Sequence, residues 1–166
     1  MNRTGGSSIT HLAIVLPLPR LDLGQGPFHP CRLPQGQPYQ RRDQVGLVSF
    51  QRDYATLLLP LTNSIELAQK QLQTMPTGGK TPLSRGLLIG YEVLEKARLQ
   101  DPEVLPLMVI LTDGQANVSM GDLPPQAECY ALADFVATQS IRSVVIDTEH
   151  PIFERGLARQ LAYHLK

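Results

Sequence analysis

Two short segments carry the residues of this chain that are best placed to do chemistry. One is Thr77-Gly78-Gly79-Lys80-Thr81-Pro82-Leu83, and the other is Leu107-Met108-Val109-Ile110-Leu111-Thr112-Asp113-Gly114. The first sets a hydroxyl, that of Thr81, on a glycine-rich turn at the mouth of a helix. The second sets a carboxylate, that of Asp113, at the end of a strand with apolar residues at almost every position. A hydroxyl and a carboxylate on the rim of an α/β sheet are part of a hard-cation site, the all-oxygen environment that Mg²⁺ prefers. Asp113 has a plainer role open to it as well, closing the Gly114-Gln115-Ala116-Asn117 turn through its own side chain. Thr81 likewise fits as a helix N-cap with Pro82 in the first turn.

Asp147, Glu149 and His150 form a second acidic group after the last predicted strand. A small Mg²⁺-dependent hydrolase would take Asp113 and Asp147 as metal ligands and His150 as acid/base. No nucleophile accompanies them, and a solvated loop before Pro151 is the better account of the cluster. Ser64, Ser84 and Ser119 lack a G-x-S-x-G context, which excludes a serine hydrolase of that type. Gly78-Gly79-Lys80-Thr81 is not a phosphate loop, because Thr74 and Met75 stand where the first glycine of that motif would fall.

The elements that must position these residues follow from periodicity. Val45–Phe50 and Tyr54–Leu59 are strand candidates joined across Gln51-Arg52-Asp53. Asn63-Ser64-Ile65-Glu66 has the form of a capping box and opens a helix that ends before Pro76. Thr81-Pro82 opens a second helix, running to about Leu99 with Leu83, Leu87, Leu88, Tyr91 and Leu94 inward. Leu107–Leu111 is apolar on both faces, the mark of a parallel strand covered by helices. Ala127–Gln139 is helical, Ser143–Ile146 a strand and Phe153–Leu165 a last amphipathic helix. Strands alternating with helices predict a doubly wound, mostly parallel α/β sheet with helices on both faces. In such sheets ligands lie beyond the carboxyl ends of the strands, where Asp113, Asp147 and Glu149 fall.

Residues 1–38 have a different character. Prolines 17, 19, 27, 30, 34 and 38 remove backbone donors and fix φ. They predict an irregular or disordered segment with no helix and no central strand. Ile9–Leu16 alone is apolar enough to supply a strand. The domain organisation expected is therefore an irregular stretch over 1–38 and one folded unit over 39–166.

Fifteen basic residues balance fifteen acidic ones, which gives no reason to expect a nucleic-acid partner or an anionic membrane surface. Cys31 and Cys129 match no metal or disulfide spacing. No apolar run is long enough to span a membrane. Ile9–Leu16 is a poor signal-peptide core, with Arg3 alone before it and Pro17 and Pro19 directly after. A cytoplasmic chain is expected.

Gln40-Arg41-Arg42-Asp43-Gln44-Val45, Leu58-Leu59-Pro60, Thr77 to Leu83, Leu111-Thr112-Asp113-Gly114-Gln115-Ala116-Asn117-Val118 and Val145-Ile146-Asp147-Thr148-Glu149 resemble the von Willebrand factor A domain at the carboxyl end of the magnesium chelatase D subunit. The resemblance runs from about Tyr39 to Lys166. It implies an A-domain fold and a metal-ion-dependent adhesion site, in which Thr81 matches the threonine of the second loop and Asp113 the aspartate of the third. It also implies a docking role, joining a motor ATPase subunit to a porphyrin-binding subunit during Mg²⁺ insertion into protoporphyrin IX. No catalysis is expected of the module alone.

The first loop of such a site, Asp-x-Ser-x-Ser, has no counterpart here. His11-Leu12-Ala13-Ile14-Val15-Leu16-Pro17 stands in its place, so the first strand is expected to be aberrant or missing and Mg²⁺ binding weak or lost. The abrupt change at Tyr39 raises the hypothesis that residues 1–38 derive from a shifted reading frame or aberrant start; the alternative to a docking module is then a truncated product without independent activity.

Overall fold

The computed structural model describes residues 12–19, 44–74, 79–149 and 155–166. Expectations that fall elsewhere lie outside the described residues, among them the irregular course of 20–38, the Thr77-Gly78 end of the glycine turn, His150 and the Phe153 start of the last helix.

The elements run β1 (Leu12–Pro19), β2 (Val45–Gln51), β3 (Tyr54–Thr62), α1 (Ile65–Gln73), α2 (Leu83–Gln100), β4 (Val104–Thr112), α3 (Pro125–Thr138), β5 (Arg142–Asp147) and α4 (Leu157–His164). The five strands form one mixed sheet in the order β3-β2-β1-β4-β5. Sequence periodicity located nearly all of these elements to within a few residues.

The sheet is not mostly parallel. β4 and β5 pair in parallel, whereas β1 runs antiparallel to both its neighbours and β2 antiparallel to β3. Apolar residues on both faces of a strand report burial from both sides, and that burial is compatible with either direction.

Nor do the prolines keep the chain out of the sheet centre. β1 is the middle strand, and Pro17 and Pro19 lie within it. The register shows why they are tolerated. Pro17 stands opposite Pro106, a position that can only be a non-hydrogen-bonded pair of the antiparallel ladder, since neither residue has an N–H. The missing donor of Pro17 is therefore on the β2 side, where pairing has already ended at Val15 opposite Gly46. That of Pro106 is on the β5 side, where pairing begins only at Leu107 opposite Arg142.

Helices cover the two faces unequally. Ala13, Val15, Val48, Phe50, Met108 and Ile110 point into one layer with α2, α3 and α4. α2 crosses β1, β2, β3 and β4. It approaches closely at Gly86, where any Cβ would run into the ring of the fully buried Phe50. On the other face Leu12, Leu47 and Leu59 form a smaller cluster with Ala68 of α1, flanked by Ile14, Val45, Leu58 and Leu111. Ser64, rather than Asn63, is the N-cap of α1, its hydroxyl accepting from the N–H of Leu67.

Candidate functional site

The predicted site residues come to the carboxyl end of β4 and β5, where two loops are tied to each other. Thr112 ends β4 fully buried, its hydroxyl accepting from the Gly114 N–H at 3.1 Å. Asp113 follows, and its Oδ1 accepts from the N–H of Gln115 at 3.0 Å. This is the turn-closing role that Asp side chains take two residues ahead of a bend.

Gly114 sits at φ +77°, and a side chain there would collide with the backbone of Leu157 and Ala158. Only glycine allows both the left-handed turn and the seating of the α4 amino end directly on it.

Thr81 is buried in the loop before α2. It does not cap that helix. The N-cap position belongs to Pro82, which has no side-chain cap hydrogen bond. The reason is that Thr81 is held from outside the helix. Its N–H donates to Asn117 Oδ1 at 2.5 Å, and its carbonyl accepts from the Asn117 N–H at 3.2 Å. This reciprocal clamp draws the Thr81 loop onto the Asp113 loop, four residues beyond the aspartate.

Gln126, at the start of α3, clamps the same loop from its other side. Its Oε1 accepts from Ala116 N–H and its Nε2 donates to Gly114 O, each at 3.0 Å. Glu128 adds a third tie, accepting from the N–H groups of Met120 and Gly121. Burial alone would raise the Glu128 carboxyl. The Met120 N–H, the Ser84 hydroxyl, the Gly121 N–H and the Arg85 charge together outweigh that and hold it below its ordinary value.

Asp147 closes β5 as Asp113 closes β4, its Oδ1 accepting from the Glu149 N–H at 2.8 Å. Glu149 turns inward and accepts from the Arg155 N–H at 2.8 Å, with the Arg155 guanidinium alongside. Arg155 Nη1 also donates to Gln115 Oε1 at 3.0 Å. The β5 end of the rim is thus bridged by a cation to the turn that Asp113 closes.

Chemically, the rim presents the Thr81 hydroxyl and the carboxylates of Asp113 and Asp147 from different loops, each of these carboxylates already holding a backbone N–H. Among the described residues there is no group of three or more His, Cys, Asp or Glu side chains arranged to hold a metal ion. Asp113 and Asp147 are both on the rim, while His150 lies outside the described residues. A shallow depression at the β3–α1 junction, lined by Leu61, Ser64 and Ile65, shares no residue with this rim.

Sequence reasoning did not single out Asn117, Gln126 or Arg155. Each acts through a contact made across 10 to 40 positions, which no local pattern announces. No described helix is long and apolar enough to cross a membrane.

No protein-family model and no solved structure matches the chain. Curated proteins do. An uncharacterised protein of Methanocaldococcus jannaschii is 34% identical over 125 residues, 75% of this chain and 71% of that protein. An uncharacterised protein of Mycobacterium tuberculosis is 41% identical over 127 residues, which is 20% of its length. The magnesium-chelatase 67 kDa subunit of Chlorobaculum tepidum is 35% identical over 140 residues, covering 76% of this chain and 22% of the subunit. This chain therefore matches only about a fifth of that subunit.

Proposed function

Because this chain belongs to the same family as the Methanocaldococcus jannaschii protein, and because its matched segment also recurs within magnesium-chelatase subunits, we propose that it is a protein-interaction module of a chelatase-type assembly. The observation that carries this is the similarity to the chelatase subunits over about three quarters of the chain. In this reading the fold is of the von Willebrand factor A type and the working surface is the rim formed by the Thr81 and Asp113 loops. The partners are a motor ATPase subunit and a porphyrin-binding subunit, and the chain itself catalyses nothing. A cytoplasmic location goes with that role.

Thr81 and Asp113 are proposed as what remains of a metal-ion-dependent adhesion site. Mg²⁺ takes six oxygens in near-octahedral geometry and sheds water reluctantly. One hydroxyl and one carboxylate already engaged with the Gln115 N–H supply few of those oxygens. The α2 amino terminus, positive by its dipole, disfavours a cation further. Binding of Mg²⁺ is accordingly weak or lost.

Surface-plasmon resonance of the purified chain against separate motor and porphyrin-binding subunits tests the docking role. Saturable binding to either, weakened by Asn117→Ala, is the expected result. Binding to neither would leave the truncated-product reading in its place. Isothermal titration with MgCl₂ tests the ion site, and a micromolar affinity would overturn its assignment as incomplete.

A further inference from the structure

The sheet face that α1 only partly covers carries an apolar strip across β1, β4 and β5. Its residues follow from the register. Met108 and Ile110 face the three-helix layer, so Leu107, Val109 and Leu111 face the other way. Val144 is paired with Val109 and Ile146 with Leu111, which places both on the same open face, and Leu16 opposite Leu107 joins them. Val144 and Ile146 are 47% and 45% exposed, high for branched apolar side chains in mid-strand. α1 contacts β2 and β3, and of the strip Leu111 packs against the cluster around Ala68, while Val144 and Ile146 on β5 keep their exposure. One charge belongs to it: Arg142, exposed and paired with Leu107 at the amino end of β5.

The dimensions of the strip identify what fits it. Three strands spaced about 4.8 Å apart give a width of roughly 10 Å, the diameter of one α-helix. Seven residues of β4, Leu105 to Leu111, give a length of roughly 20 Å, or about 14 helical residues. The resulting area, on the order of 200 Å², is far below the ~800 Å² per partner of a stable dimer. No further helix among the described residues reaches it. Residues 1–11 are rich in Gly, Ser and Thr, and prolines 27, 30, 34 and 38 interrupt the stretch between β1 and β2.

We propose that the open face across β1, β4 and β5 is a docking groove for one amphipathic helix of a partner protein. That helix has an uncharged apolar stripe and a carboxylate at the end that lies over Arg142. It seats beside α1 and completes the second helical layer that an α/β sheet of this kind requires.

The test uses the full chain and a designed peptide of about 14 residues. The peptide carries leucines at i, i+3, i+4 and i+7, a glutamate at one end, and a fluorophore for anisotropy. Saturable binding is expected, absent for a scrambled peptide of the same composition. Ile146→Lys, at a half-exposed position that the fold tolerates, weakens binding at least tenfold with an unchanged circular-dichroism spectrum. Arg142→Glu weakens it too, and a peptide with lysine in place of the end glutamate restores it. Equal binding of the scrambled peptide, or indifference to Ile146→Lys, overturns the proposal. So does a doubled mass in light scattering that Ile146→Lys abolishes, since a second copy would then be the occupant.

Discussion

The two faces of the sheet are built from residues of the same kind and end up in different states. Met108 and Ile110 of β4 are fully buried beneath α2 and α3, while their neighbours Val109 and Leu111 remain partly open. Hydropathy does not separate these residues, since all are large and apolar. What separates them is how many of the described helices lie on each side. α2, α3 and α4 share one face and the short α1 sits alone on the other. A strand apolar on both sides thus states a demand for cover, and only the rest of the chain, or a partner, meets it.

The largest expected effect that separates the faces is a truncation under α2. Leu87→Ala removes a side chain that is 1% exposed, and we expect a loss of about 2–5 kcal/mol in urea unfolding. A loss no greater than that of Val144→Ala would break the contrast between the faces. Gly114→Ala comes next. Its left-handed φ alone costs about 1–3 kcal/mol, and the new Cβ pushes the amino end of α4 off the rim. Hydrogen exchange should rise in α4 while β2 and β3 stay protected.

Asn117→Ala removes the side-chain half of the Thr81 clamp and leaves a buried N–H without its acceptor. About 1–3 kcal/mol is expected, with faster exchange at the α2 amino end. Amide exchange at Thr81 that stays unchanged would mean another group takes over.

A smaller, pH-dependent effect sits in the covered layer. Burial, with a lesser contribution from the neighbouring Glu128 charge, pushes the Cys129 thiol up from 9.0 to about 12. The native state therefore keeps its proton while the unfolded state releases it. Stability from this group is complete below pH 9.0 and is lost as pH rises toward about 12. The Cys129→Ala variant should show a shallower decline over that range in thermal melts, and an equal decline would place the effect elsewhere. The smallest change is expected on the open face, where Val144→Thr should shift stability by no more than about 0.5 kcal/mol.

Much of this was legible in the sequence, for physical reasons that differ from element to element. A short apolar run located β2, which is buried at almost every position, and period-3.6 spacing located α2, which buries one consistent face. Asp113 could be placed on the rim because a long apolar run ending in Asp-Gly marks the exit of a buried strand. The clamp by Asn117, the Gln126 brace and the Arg155 bridge could not be read, because each joins loops distant in the chain. The direction of β1 could not be read either, since apolar content carries no sense of direction. Its prolines argued against a central strand, and the register made room for them by setting Pro17 against Pro106.

The sequence by itself determined where the helices and strands form, which residues are apolar enough to be buried, and that Thr81 and Asp113 stand at the mouths of loops. Tertiary structure decided that β1 runs against both its neighbours, that Asn117 joins those two loops, and that of the described helices three lie on one face of the sheet and one on the other. The physical reason is range. Propensity and periodicity act within a few residues, whereas register, clamps and cover are set by contacts between segments that the sequence keeps far apart.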